Sequence, residues 1–323
     1  MQIAALFPLR QRERCNPAHK AVSLTPRPTL PAPPTMTAIA KPQALLQLIR
    51  FDKPIGTLLL LWPTLWALWI AADGRPDPGL LAIFVLGTFL MRSAGCILND
   101  LADRNFDGEV KRTEARPLVT GAVSVREALL FFAVLCLSAF GLVLLTNALT
   151  VALSLAAVAV TATYPFMKRH THWPQIVLGV AFSWGIPMAF AAQHNALPMG
   201  LWWLFAANLL WTVVFDTQYA MVDRDDDLRI DIKSTAILFG QRDRHIIGLF
   251  QVLCLGSLVM AGRYFGLGPW YWAALVVVAG LFLYHQWLIR ERERMACFYA
   301  FRHNNWVGLA VFAGIAAHYA TAA

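Results

Sequence analysis

Residues 128–167 form a run of forty positions without an aspartate, glutamate, lysine or arginine. A helix needs about 20 mainly apolar residues to cross roughly 30 Å of hydrocarbon. The run therefore suffices for two crossings, with Thr146-Asn147 as the natural turn. Comparable runs occupy residues 54–72, 79–98 (with Arg92 as its one charge), 246–262, 264–289 and 303–323. The long run 173–215 is divided by Gln193-His194-Asn195 and Pro198. Hydrophobic residues make up 58% of the chain and charged ones 14%, against about 45–50% and about a quarter in soluble domains. An ordinary soluble enzyme, a disordered chain and a disulfide scaffold are thereby excluded. The pattern predicts an all-α integral membrane protein with nine transmembrane helices.

The basic residues orient those helices. Of 27 lysines and arginines, 24 precede the first run or lie in the even-numbered connections. Arg75 and Arg263 fall on the opposite side, and Arg92 falls inside a span. Basic residues concentrate on the cytoplasmic side of membrane proteins, so the N-terminus and even-numbered loops are expected in the cytoplasm. The net charge of +8 then reflects topology and anionic headgroups or substrates; no nucleic-acid motif accompanies it, and no nucleic-acid partner is expected. Cys15, Cys96, Cys136, Cys254 and Cys297 lack metal-ligand spacing and read as free thiols. Trp62, Trp66 and Trp69 repeat at helical spacing and read as packing or anchoring residues. His170 and His172 read as interface residues. Residues 1–44 are expected to be a disordered or over-extended N-terminal segment, with Met36 as the favoured start, ahead of a membrane domain at 45–323.

The acidic residues carry the chemistry. Apart from Glu13, Asp52, Asp73 and Asp77, they all lie in three cytoplasmic connections or the flanking helix ends. Asn99, Asp103 and Asp107 are four residues apart, and Asp223 and Asp227 repeat that step. A step of four on a helix advances 400°, so each set is expected to line one face. Four crossings separate the sets, which places both on the same side of the membrane. Clustered carboxylates repel unless they are protonated or hold cations. Hard oxygen donors on two helices suit Mg²⁺, which keeps waters and takes one or two carboxylates plus phosphate oxygens; no Cys or His lies nearby at Zn²⁺ spacing. Lys111, Arg112, Arg116, Lys168, Arg169 and Lys233 stand beside the acids. Acids for Mg²⁺ and bases for phosphate together match a diphosphate leaving group. An EF-hand is excluded by its missing Gly and Glu. A CDP-alcohol phosphotransferase is excluded because Glu109-Val110-Lys111-Arg112 follows Asp107-Gly108.

From residue 45 to the C-terminus the chain resembles the UbiA-type intramembrane aromatic prenyltransferases. The likeness rests on Asp52-Lys53-Pro54-Ile55-Gly56, on Asn99-Asp100 through Asp107-Gly108, on Arg116-Pro117-Leu118 and on Tyr164-Pro165-Phe166-Met167-Lys168-Arg169. Asp216-Thr217-Gln218-Tyr219-Ala220-Met221, running into Asp223–Asp227, completes it. The Tyr-Pro-Phe-Met-Lys-Arg and Asp-Thr-Gln-Tyr-Ala-Met-Val-Asp stretches point to the branch that acts on 4-hydroxybenzoate. The resemblance implies nine helices around a central cavity open to the cytoplasm and laterally to lipid, in a bacterial inner membrane. It implies Mg²⁺ held by Asn99, Asp103, Asp107, Asp223 and Asp227 on the diphosphate of a polyprenyl donor. Asp103, Asp107, Asp223 and Asp227 would be the catalytic carboxylates, and Lys111, Arg112 and Arg116 would neutralise the diphosphate. Arg169 is the candidate for the carboxylate of 4-hydroxybenzoate, and Asp223 could instead polarise the phenol. Prenylation ortho to the hydroxyl, a step of ubiquinone biosynthesis, is the implied reaction. The alternatives are a relative with another acceptor and a transporter of cations or organic anions; a transporter would carry its acids near the bilayer midplane.

Overall fold

The computed structural model describes residues 40–104, 107–109 and 113–322, all in helices, turns and short connections. Twelve α-helices follow one another: α1 Lys41–Leu48, α2 Ile55–Ala71, α3 Pro78–Asp103, α4 Val125–Val143, α5 Ala148–His170 and α6 Pro174–Ser183, then α7 Gly185–His194, α8 Leu201–Arg229, α9 Thr235–Phe239, α10 Asp243–Tyr264, α11 Pro269–Leu288 and α12 Arg294–Ala322. Met36 lies outside the described residues. The helix α1 begins within the segment expected to be disordered. Lys41 reaches Glu127 at 2.6 Å and Ala44 is fully buried, so the folded unit takes in residues 41–44.

Among the described residues six stretches are long and apolar enough to cross a membrane: Pro78–Asp103, Val125–Val143, Ala148–His170, Pro174–His194, Thr235–Tyr264 and Pro269–Glu291. The runs at 54–72, 198–215 and 303–323 also fall in helices, but outside this set. Helix α2 has 17 residues. Helices α8 and α12 have 29 each, and Asn208, Thr212, Asp216 and Gln218 on one and His303, Asn304 and Asn305 on the other lower their apolar content.

Those polar residues are bonded between helices. Asn304 on α12 accepts from Trp211 Nε1 at 2.9 Å and donates to Gln218 Oε1 on α8 at 2.8 Å. Thr217 on α8 meets the Thr235 hydroxyl at 2.7 Å, and Gln175 on α6 accepts from the Thr235 amide at 3.1 Å. In an apolar environment such groups cannot fall back on water, so every bond helps to fix one helix against the next. The turn at Thr146-Asn147 forms as expected: Asn147 caps α5 by accepting from Thr150 N at 2.9 Å, and its amide donates to Ala191 O at the end of α7. The tryptophan series packs. Trp66 stacks on Trp211 with centroids 5.6 Å apart and donates to Gly308 O at 2.9 Å. A Cβ on Gly308 would lie 2.4 Å from the Trp62 ring, so glycine is required where α12 crosses these indoles. Cys96, Cys136, Cys254 and Cys297 are free thiols.

Asn304→Ala is expected to strand the buried Trp211 donor and the Gln218 acceptor together. Each lost bond of this kind costs about 1–2 kcal/mol. A detergent thermal-melt measurement should show the midpoint falling by several degrees, and further than in Trp62→Phe.

Candidate active site

Two helical faces meet at one cavity of about 1460 Å³. On α3 its lining includes Arg92, Cys96, Asn99 and Asp103; on α8 it includes Asp216, Tyr219, Asp223 and Asp227. Both sets follow an approximate i, i+4, i+7, i+11 pattern, which places them on one face over three turns. Asn99 and Asp103 are therefore brought together with Asp223 and Asp227, as the sequence predicts. Arg116, Lys168 and Lys233 also line the cavity.

Asp107 reaches the cavity by a different route. The α3 helix ends at Asp103 with Arg104 as its C-cap, and Asp107 lies in a separate 3₁₀ turn, Asp107–Glu109. Hence the three residues do not share a helix face. The turn is folded back by Arg116, whose Nη1 meets Asp107 Oδ2 at 2.5 Å, and by the Thr113 hydroxyl, which donates to Asp107 O at 2.7 Å. Burial pushes the Asp107 carboxyl above its ordinary range, with the Arg116 charge opposing it.

Several acids at or near the cavity are matched by a base from a distant part of the chain. Asp100, 1% exposed, receives Arg50 through two bonds, at 2.6 and 3.1 Å, and Arg116 at 3.1 Å. Asp103 pairs with Lys168 at the end of α5. Arg294 at the start of α12 reaches Asp226 at 2.8 Å and approaches Asp223 at 3.8 Å. Arg169 donates to Ala102 O and is not among the residues lining the cavity. Lys111 and Arg112 lie outside the described residues.

The donor set fits a cation of one particular kind. Among the described residues no three His, Cys, Asp or Glu side chains form a ready-made metal cluster. Asp103 Oδ1, however, is buried without a hydrogen-bond partner. One under-used carboxylate oxygen beside a second acidic helix suits an ion completed by water and phosphate oxygens. That is the habit of Mg²⁺, not of an ion that needs a full protein cage.

Two cavity residues escape the spacing argument. Arg50 stands just before the Asp52-Lys53-Pro54-Ile55-Gly56 motif but at no regular spacing from the acids; it belongs to the site through Asp100, fifty positions later. Arg92 does carry a signal, because an arginine inside an apolar span is costly and marks function by default. Seven residues before Asn99, it sits about 10 Å further along the same face of α3. None of the ion pairs among the described residues takes up its guanidinium. It lies flat against Gly56, where a Cβ would come within 2.4 Å of Nη2.

Residues 60–309 match the UbiA prenyltransferase family, and the chain belongs to that family. It is 61% identical over 276 residues to a protein of Aeromonas salmonicida (strain A449) named 4-hydroxybenzoate octaprenyltransferase, covering 85% of this chain and 96% of that one. A protein of the same name from Pseudomonas aeruginosa (strain LESB58) is 61% identical over 274 residues, covering 85% and 93%. Among solved structures, the apo UbiA homolog from Aeropyrum pernix K1 superposes with a TM-score of 0.70 at 25% identity, over 79% of this chain and 96% of that one. A UbiA homolog from Archaeoglobus fulgidus bound to GPP and Mg²⁺ gives a TM-score of 0.66 at 16% identity, over 84% and 99%. Family membership and the apolar helices make this a multi-pass membrane protein.

Arg50→Met should leave Asp100 with Arg116 alone. Breaking a buried pair costs about 3–5 kcal/mol, and the 20% exposure of the Arg50 side chain brings the expected loss down to roughly 2–3 kcal/mol. The double variant Arg50→Met/Asp100→Leu should recover most of the thermal midpoint, since it removes the buried charge as well. Equal losses in single and double variants would show that the pair does not set stability.

Proposed function

We propose that the chain transfers a polyprenyl group from polyprenyl diphosphate to the ring carbon ortho to the hydroxyl of 4-hydroxybenzoate, a step of ubiquinone biosynthesis. The reading assigns nine helices to the bacterial inner membrane, with the N-terminus and the cavity mouth toward the cytoplasm and lipid around the bundle. One observation carries it: α3 and α8 present Asn99 and Asp103 opposite Asp223 and Asp227 in one cavity, with Arg116 and Lys168 beside them. Relatives sharing 61% identity bear the name of this activity.

Asn99, Asp103, Asp107, Asp223 and Asp227 would hold Mg²⁺, which when bound supplies positive charge to the diphosphate oxygens. Lys168 and Arg116, with Lys111 and Arg112, take further phosphate oxygens through charge-assisted hydrogen bonds. The allylic C–O bond then breaks, and its electron pair leaves with the diphosphate. The electron-rich ring carbon beside the phenol supplies the pair for the new C–C bond, and loss of its proton restores aromaticity. The carbon skeleton of the donor must stay dry while this happens. Phe84, Phe132, Phe140 and Phe182 line the same cavity and exclude water there.

The acceptor's carboxylate needs a cation inside the cavity. Arg92 meets that need better than Arg169, because it lines the cavity on the Asn99 face and no described ion pair occupies it. Asp223 remains a candidate for polarising the phenol.

Membranes containing the protein, given labelled 4-hydroxybenzoate and a polyprenyl diphosphate, should yield labelled lipid with Mg²⁺ and none with excess EDTA. Asp103→Ala and Asp227→Ala should lose about 100-fold or more of that activity, as expected for lost charge stabilisation. Full activity in either variant overturns the site assignment, and labelling only with a different aromatic acceptor overturns the substrate. Arg92→Met is expected to raise the KM for 4-hydroxybenzoate about tenfold or more, the worth of one charge-assisted bond. A phenolic acceptor without the carboxylate should be nearly unaffected.

A further inference from the structure

The α8 helix carries Arg224 within its acidic stretch, one position after Asp223. A free guanidinium there would compete for the carboxylates on either side. It is instead drawn away from the cavity: Arg224 Nη2 donates to Asp243 Oδ2 at 2.6 Å and to Ala236 O at 2.8 Å. Asp243, at the first position of α10, is fully buried. The same carboxylate accepts from Arg292, through Nε at 3.0 Å and Nη2 at 2.9 Å, and from the Arg244 amide at 2.7 Å. Arg292 belongs to the connection between α11 and α12 and has a left-handed backbone, φ 55°. Asp243 thus joins α8, α10 and the α11–α12 corner at one point.

The geometry of α8 gives this clasp a direction. At 100° per residue, Arg224 lies about 100° to one side of Asp223, and Asp226 about 60° to the other. Asp226 is held by Arg294 at 2.8 Å. The end of α8 is therefore gripped on both flanks, by α10 through Arg224 and by α12 through Asp226. The arc between the two grips contains Asp223 and Asp227, the residues that line the cavity.

We propose that Asp243 is a positioning residue for the prenyl transfer: through Arg224 it sets the roll of α8 and so aims Asp223 and Asp227 at the diphosphate-binding end of the cavity. This rests on the reading of those two aspartates given above. Asp243 touches neither donor nor acceptor, so its effect falls on the handling of diphosphate and Mg²⁺ and not on the aromatic ring.

The test compares Asp243→Asn, Arg224→Gln and Arg292→Gln with Asp227→Ala in purified full-length protein, first confirmed as folded by size exclusion and thermal melting. Mg²⁺-dependent equilibrium binding of farnesyl thiodiphosphate, which does not react, is measured beside the initial rates. Asp243→Asn and Arg224→Gln should raise both the Mg²⁺ concentration at half-saturation and the dissociation constant of the thiodiphosphate by about tenfold, while the KM for 4-hydroxybenzoate stays within twofold. Arg292→Gln should lower the melting midpoint without moving the Mg²⁺ dependence. If Asp243→Asn does not fold, Arg224→Gln decides alone. Unchanged Mg²⁺ and thiodiphosphate binding in folded Arg224→Gln would make the clasp purely structural and overturn the proposal. Retained activity in Asp227→Ala would overturn the reading beneath it.

Discussion

A carboxylate taken out of water must be met by a cation or by several donors, and this requirement governs where the helices of this chain end. Asp100, Asp103 and Asp243 are each at most 3% exposed, and each draws its base from another element. Asp100 takes Arg50 from the corner before α2 and Arg116 from the loop before α4. Asp103 takes Lys168 from α5, and Asp243 takes Arg224 from α8 and Arg292 from the corner before α12. Buried pairs of this kind add little net stability over well-packed apolar residues, but losing one partner is costly. Their role here is therefore positional. Helices that could slide or roll against one another with small change in apolar contact are fixed in register by the pairing of charges at their ends.

Much of the fold was legible in the sequence because hydrocarbon imposes a simple rule on composition. The uncharged runs mark helices, and the breaks at Asn147 and Asn195 fall where Asn147 caps α5 and where Asn195 ends α7 in a left-handed conformation. The rule weakens where a helix serves the site. Asp216 and Gln218 lower the apolar content of α8 because one lines the cavity and the other bonds to Asn304. Four-residue spacing correctly set Asn99 with Asp103 and Asp223 with Asp227. It could not show that the helix stops at Asp103, because the fold-back of Asp107 depends on Arg116 and Thr113. Arg116 was legible as a base near the acids; its division between Asp100 and Asp107 was not. Asp243 gave no signal at all. A lone aspartate at the start of a helix looks like an exposed N-terminal acid until two arginines, 19 positions before it and 49 after it, are seen to converge on it.

The faces of α3 and α8 divide the cavity along its depth. Asn99 and Asp103 line the cavity together with the acids of α8, and with Lys168 and Arg116. About two turns further along α3 comes Arg92, and Asp216 takes the equivalent place on α8. Aromatic side chains line the same space. On the proposed reading, this order corresponds to the parts of the reacting pair: the diphosphate among the acids and bases, the acceptor's carboxylate near Arg92, and the isoprenoid along the aromatic wall.

On the proposed reading, the ion pairs also bear on how a charged donor can enter. A diphosphate arriving alone meets Asp103, Asp107, Asp223 and Asp227, whose charges oppose it, and bases already engaged by carboxylates. On that reading, a divalent cation arriving alone would have to draw Asp103 from Lys168, which leaves the lysine without its counter-charge, and Asp107 from Arg116, which keeps only Asp100. If the two arrived together, both exchanges would balance: Asp103 and Asp107 would hold the cation, and Lys168 and Arg116 would be released to phosphate oxygens. Charge would be conserved at each partner, and no buried ion would be left uncompensated. On the proposed reading, the pairing seen between these acids and bases would be a resting arrangement that resists either half of the substrate by itself and gives way to the two in combination. On that reading, the same loss of counter-ions that makes each separate step costly would couple the binding of cation and diphosphate.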